Sequence, residues 1–258
     1  MPRFFVPAGH LAGGRARIDG DDAAHLARSL RATPGEHVVV VDDAGMEHGV
    51  RLLSVSAAVV EGEVEWSRPV SGEPGLEVHV VQAVAKDGMD ELVEALTEVG
   101  VVAVWPVLTR RTVARPDARR AAHRVARWQA IARNAAGLAG RGRVPVVHPV
   151  RELHEVPALL PDGTRLLACT LDGATPLASL SPPPRAGDRI ALVIGPEGGL
   201  DAADLSVLQS AGASPVHLGP RVLRARLAGV VAVSALLAGA GEMRDAPAGW
   251  AVPETVPS

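Results

Sequence analysis

One cysteine, one lysine and no long apolar run distinguish this 258-residue chain more sharply than anything it holds in abundance. Cys169, in Leu166-Leu167-Ala168-Cys169-Thr170, has no second thiol to pair with. An internal disulfide is excluded, and a buried structural thiol is expected rather than a nucleophile. No apolar stretch reaches the roughly 18 residues that a membrane helix needs. The start, MPRFFVPAGH, lacks a signal-peptide core, which sets the expectation of a cytoplasmic protein without membrane contact. The nine histidines are scattered, with no HxH, HxxxH or CxxC spacing, so no metal site is expected. Hydrophobic residues make up 47% of the chain and charged residues 21%, enough to bury one large core or two modest ones.

What charge there is lies unevenly. Between residues 103 and 151 eleven arginines face one acid, Asp117, a local balance of +10 in a chain whose net charge is −3, so the remainder carries −13. Lys86 is the sole lysine. A dense arginine block in an otherwise acidic chain is the footprint of a phosphate-binding face, and the guanidinium fork suits bidentate phosphate contacts. A solvated helix face would carry the same composition. Within the block, residues 117–139 give the longest helical pattern. Ala121, Val125, Trp128, Ala132 and Ala135 form its apolar stripe, and Arg120, Arg124 and Arg127 project from another face.

Residues 1–70 read as a β-rich unit: strands at 4–6, 36–41, 47–55 and 59–66, with an acid-started helix at 21–31 that carries Leu26 and Leu30 one turn apart. Short strands at this spacing predict a small barrel. Residues 71–75, Ser-Gly-Glu-Pro-Gly, have linker composition. Residues 76–243 then alternate strands (76–85, 101–107, 165–170, 189–194) with helices (89–99 and 117–139), the succession a parallel α/β sheet requires. Residues 244–258 hold three prolines and little apolar patterning and are expected to be a disordered tail.

Two short apolar runs empty into Gly/Pro loops. Leu192-Val193-Ile194 precedes Gly195-Pro196-Glu197-Gly198-Gly199, and Pro215-Val216-His217 precedes Leu218-Gly219-Pro220-Arg221-Val222-Leu223-Arg224. Unalternated apolar runs suit strands covered on both faces, and ligands collect beyond the carboxyl ends of such strands. Glycines there let backbone groups reach a ligand, and Gly198 is singled out as the position where a β-carbon would intrude.

This pair of loops, GPEGG and LGPRVLR, separated by an acid-capped helix, resembles the cofactor half of SPOUT RNA methyltransferases. Within that class the chain is similar to the RNA small subunit methyltransferase E family, and HLARSLRATPGE and RWQAIARNAAGLAGRGRVP resemble further family segments. The resemblance spans residues 3–240 and implies an N-terminal PUA-like β-barrel, a C-terminal parallel sheet with a trefoil knot at 190–240, and a homodimer through the C-terminal domain, with the small-residue helix at 227–240 as interface or plain core. It implies S-adenosylmethionine bound by Gly195, Pro196, Glu197, Gly198, Gly199, Leu218, Gly219, Arg221, Val222, Leu223 and Arg224. The reaction implied is N3-methylation of a uridine in small-subunit ribosomal RNA. Glu197 is the candidate base, although a carboxylate there also suits capping or loop bonding, and Arg221, Arg224 or Arg141 are candidate cationic stabilisers. Arg28, Arg31, Arg120, Arg124 and Arg127 would meet RNA. Three stretches depart from the family: Ala225-Arg226-Leu227 replaces a polar Thr-rich run, Gly137-Leu138-Ala139-Gly140 replaces a Gln-containing one, and the loop Lys86-Asp87-Gly88 is shortened. They leave open a divergent paralogue acting on a small molecule or another RNA, and a non-catalytic RNA-binding dimer.

Overall fold

The computed structural model describes residues 1–173 and 175–244; the expected tail lies outside them from Asp245 on. The chain forms two compact units, one from Met1–Glu73 with Ala136–Val144, the other from Pro74–Ala135 with the described residues after Pro145.

The first unit is a six-stranded sheet of β1 (Arg3–Val6), β2 (Leu11–Ala12), β3 (Arg15–Asp19), β4 (His37–Asp42), β5 (Met46–Val55) and β6 (Val59–Pro69), in the order β1-β4-β5-β6-β3-β2. Strand alternation builds its core: Ala16 and Ile18 of β3 point inward between exposed Arg15, Arg17 and Asp19, and join Phe4, Val40, Val50 and Leu52. The small barrel expected here is not closed, because β1 and β2 end the strand path without pairing to one another among the described residues. The helix expected at 21–31 is shorter. α1 (Gly20–Ala24) widens into a π turn over His25–Ser29, in which the Leu30 N–H donates to the His25 carbonyl at 3.0 Å. That extra residue per turn breaks the stripe: Leu26 is fully buried, whereas Leu30 is 44% exposed. Arg31, at φ +52°, has left the helix altogether.

Glu73 gathers the 136–144 segment onto this unit. Its carboxylate accepts from Arg141 Nε and Nη2 at 2.9 and 2.7 Å and from the Gly142 N–H at 2.7 Å, with Arg143 at 3.2 Å. Burial works to raise this carboxyl, but the Arg141 hydrogen bonds and charge, with Gly142 and Arg143, prevail and hold it below its usual 4.5.

The second unit is a wholly parallel sheet of β7 (Glu77–Ala83), β8 (Ala103–Leu108), β9 (Val146–Val147), β10 (Arg151–Glu152), β11 (Arg165–Cys169), β12 (Thr175–Pro176), β13 (Arg189–Ile194) and β14 (Ser214–His217). The order is β10-β8-β7-β13-β11-β14-β12, with β9 also on β8. Val78, Val80, Val81, Leu167, Leu192 and Val193 are buried, as expected of strands covered on both faces. α2 (Met89–Val99) lies between two left-handed glycines, Gly88 and Gly100, and buries Leu92, Val93 and Leu96. α3 (Ala118–Leu138) buries Trp128, Ala132 and Ala135, while Ala121 and Val125 are only partly covered. Trp128 Nε1 donates to Asp90 Oδ1 at 3.1 Å, and the Gln129 amide clips β9 by donating to the Pro145 carbonyl and accepting from the Val147 N–H. α4 (Ala202–Ser210) and α5 (Ala225–Gly239) follow β13 and β14.

A ring cluster lies on β7 and β8. Trp105 stacks on His148 with centroids 3.4 Å apart, and its Nε1 donates to His79 Nδ1 at 3.4 Å. The proton of neutral His79 therefore sits on Nε2, which is buried without a partner among the described residues. Burial pushes the His79 imidazole below 6.5, Glu77 pulling it up and Arg189 pushing it down; burial and the His79 charge do the same to His148. Both are neutral in the fold, whereas the unfolded chain takes up protons near 6.5. Their contribution is therefore complete above that value and is lost as pH falls from it toward the depressed values. The Glu73 carboxylate acts only lower, below 4.5. Thermal unfolding measured from about pH 7.5 to about pH 5.5 should show a falling midpoint, with a shallower fall in His79→Gln. Equal slopes in wild type and His79→Gln would refute this role for the ring.

Candidate active site

Because every strand of the large sheet runs the same way, the exits of β7, β11, β13 and β14 share one edge. There they enclose a cleft of about 980 Å³. At the β13 exit the chain reverses through Gly195-Pro196-Glu197-Gly198-Gly199, closed by the Gly199 N–H donating to the Pro196 carbonyl at 2.8 Å. Gly199 sits at φ +72°, open to glycine at no cost. Asp201 then caps α4: its Oδ1 accepts from the Asp204 N–H at 2.7 Å, and Asp204 Oδ2 accepts from the Asp201 N–H at 3.3 Å. At the β14 exit Gly219, at φ +94°, turns the chain and donates its N–H to His217 Nδ1 at 3.1 Å. Between them the β11 exit crosses β14 so closely that a β-carbon on Gly173 would lie 2.5 Å from the Val216 carbonyl carbon.

The structure brings together every position expected to hold the cofactor: 195–199, Leu218, Gly219 and 221–224 all line the cleft. Within the GPEGG loop the tight position differs from the expected one. A β-carbon on Gly198 would make ordinary contact with Arg111 at 3.4 Å, and φ there is not positive, whereas one on Gly195 would lie 2.8 Å from the Leu200 nitrogen and 2.9 Å from the Gly199 carbonyl carbon. Backbone packed on backbone cannot yield as a side chain can.

Glu197 is exposed and its Oε1 accepts the Lys86 N–H at 3.3 Å, which ties the shortened 86–88 loop to the cleft; Asp201, not Glu197, caps the helix. Arg141 does not line the cleft. Its side chain is 3% exposed and engaged with Glu73, so the cationic role expected of it does not agree with its position. On α3, Arg120 pairs with Asp117 at 3.4 Å and Arg127 with Asp90, while Arg124 is half-buried. Arg28 lies on the π turn and Arg31 beyond it.

The sequence reading missed Arg111. Its Nη1 donates to the Gly198 carbonyl, and the preceding Arg110 N–H reaches Asp204 at 3.5 Å. The turn that carries both is fixed internally: Thr112 Oγ1 accepts the Thr109 N–H at 2.9 Å, and Arg115 Nη2 donates to the Thr109 carbonyl while Nη1 meets Glu152. This turn latches the GPEGG loop from outside. The only signal for it was the Thr-Arg-Arg-Thr run inside the arginine block. Also unforeseen in the lining are Asp87, Thr170, Leu171, Asp172 and Arg226. Cys169 reaches the cleft half-buried, and burial pushes its thiol up to about 12, so at neutral pH it is no nucleophile. Among the described residues no cluster of His, Cys, Asp and Glu is assembled for a metal, and no helix is long and apolar enough to cross a membrane.

The loop geometry sets an expectation for stability. Gly195→Ala should cost about 1–3 kcal/mol in urea unfolding through overpacking, and Gly198→Ala should stay within about 0.5 kcal/mol. Equal costs would contradict the placement of the tight position at Gly195.

A family model described as an RNA methyltransferase domain matches residues 72–237. Ribosomal RNA small subunit methyltransferase E of Mycobacterium bovis is 33% identical over 244 residues, covering 90% of each chain. The protein of the same name from Bacillus subtilis is 28% identical, covering 85% of this chain and 88% of its own. A crystal structure of ribosomal RNA small subunit methyltransferase E from Neisseria gonorrhoeae, bound to S-adenosyl methionine, superposes with a TM-score of 0.81 at 29% identity, covering 92% of this chain and 97% of that one. With matches of this extent over both units, the chain belongs to the ribosomal RNA small subunit methyltransferase E family.

Proposed function

We infer that the protein is an S-adenosylmethionine-dependent methyltransferase acting on small-subunit ribosomal RNA, at N3 of a uridine. The observation that carries this is the convergence of GPEGG and LGPRVLR on one cleft at the carboxyl edge of a parallel sheet. Its residues fit the cofactor. The Gly195 approach leaves no room for a side chain, the loop backbone lines the cleft, and a volume of about 980 Å³ stands at the upper end of the roughly 300–1,000 Å³ of small-molecule pockets. When bound, S-adenosylmethionine supplies an electrophilic methyl group. Gly195–Gly199 and the 218–224 loop hold it, and the Arg111 latch keeps the first loop in place.

Methylating a uracil ring nitrogen requires that its proton leave. Glu197, exposed at the cleft and steadied by the Lys86 N–H, is the base in this reading, and Arg221 supports the charge that develops on the ring. In the same reading the first unit is a PUA-like RNA-binding domain over 1–70, 71–75 is a linker and 76–243 is the SPOUT domain. Arg28, Arg31 and Arg124 add phosphate contacts. A trefoil knot at 190–240 is supported by the return of the chain from β14, beyond β11, to pack α5 on α2, β7 and β13. The same reading makes the protein a cytoplasmic homodimer through the C-terminal domain, in which α5, with Leu227 exposed at its first turn, would take part. A changed RNA acceptor is a variant of the same reading, with Arg226, where the family resembled has a polar run, standing in the cleft lining.

Incubation of the purified protein with S-adenosylmethionine and small-subunit ribosomal RNA from a deletion strain should yield 3-methyluridine by mass spectrometry. Methyl transfer to a different nucleotide would establish the changed acceptor. No transfer to any RNA would contradict the inference.

A further inference from the structure

We propose that Arg224 and Arg226, at the edge of the cleft, clamp the RNA phosphate beside the methyl-accepting nucleotide; this rests on the methyltransferase reading of the same cleft. The arginine block on α3 is the obvious candidate for RNA phosphates, yet two of its three outward residues are already ion-paired, Arg120 with Asp117 and Arg127 with Asp90. Arg224 and Arg226 differ. Both are exposed, both line the cleft, and among the described residues neither makes an ion pair or side-chain hydrogen bond. They belong to a stretch, residues 205–241, that contains three arginines and no acid.

The cleft has carboxylates too, Asp87, Asp172, Glu197 and Asp201. Glu197 is committed to the Lys86 N–H and Asp201 to the Asp204 N–H, and all four stand on other loops. Uncompensated guanidinium groups close together in sequence repel one another, and an anion between them removes that cost. The Arg226 stem lies beside the short Lys86-Asp87-Gly88 loop, its Cδ 3.6 Å from where a β-carbon on Gly88 would be; Glu91 Oε2 comes to 3.9 Å of the same point but makes no ion pair with Arg226 among the described residues. Planar, weakly hydrated guanidinium groups favour phosphate oxygens. A clamp here would fix the nucleotide next to the reacting one, where its effect on positioning is greatest.

The test measures binding of labelled small-subunit ribosomal RNA at several salt concentrations, with S-adenosylmethionine affinity by calorimetry alongside. Arg226→Gln and Arg224→Gln should each reduce the log-log salt slope, and the double variant should reduce it by about 0.7, the value for one single-strand phosphate contact. In Arg226→Gln, which lies outside the cofactor loops, the KM for RNA should rise several-fold with cofactor affinity unchanged, and Arg226→Lys should restore the slope. An unchanged slope in Arg226→Gln would overturn the clamp, whatever the Arg120→Gln/Arg124→Gln/Arg127→Gln triple variant shows of α3. Wild-type protein that neither binds nor methylates the RNA would instead overturn the functional reading, and the clamp with it.

Discussion

The site depends on one constraint, the common direction of the strands in the large sheet. A parallel strand pair cannot be joined by a tight hairpin, so each strand must return through a crossover, and every carboxyl end is delivered to the same edge. β7, β11, β13 and β14 thereby contribute four loops to one cleft, although 140 residues of sequence separate Ala85 from Ala225. Backbone contact sets how closely those loops approach. Gly173 against Val216 and Gly195 against Leu200 leave no space for a β-carbon, and at Gly195 the cleft wall is main chain.

Charge is divided between groups that hold the fold and groups left open. Glu47 with Arg3 and Arg68, and Glu73 with Arg141 and Arg143, use arginine as internal cement, each carboxylate nearly or partly buried and answered by two guanidinium groups. Leaving either carboxylate without its partners would strand a charge away from water, the costly case. The latch of Arg110 and Arg111 extends the same logic to the cleft, where the partners are a capping carboxylate and a main-chain carbonyl. Among the described residues Arg221, Arg224 and Arg226 make no such bonds, and that difference separates scaffold from the proposed binding surface more clearly than the count of arginines does.

Local signals carried much of this fold. α2 is bounded by Gly88 and Gly100, and α4 by an acid cap, because helix ends are written in residues that lie next to each other. The two glycine loops were legible for the same reason, and so were the positions they bring to the cleft. What depended on distant partners was not. Nothing in GPEGG tells which glycine meets backbone, since that is decided by the path of Leu200; nothing in GLAGRGR tells that Arg141 turns inward to Glu73, 68 residues earlier. The π turn at His25–Ser29 was hidden because Leu26 and Leu30 have the ordinary spacing of one helical turn, and β2 because a two-residue strand has no period to detect; β3 does alternate, and its Arg15-Ala16-Arg17-Ile18-Asp19 pattern was missed.

The central claim is that the cleft at the β13 and β14 exits holds S-adenosylmethionine, and locating the bound cofactor on the chain tests it most directly. Irradiation of the protein with labelled S-adenosylmethionine, followed by peptide mapping, should place the label within 195–199 or 218–224, with unlabelled cofactor competing it away. Label confined to residues 1–73 or to α3, or label that unlabelled cofactor does not displace, would contradict the account.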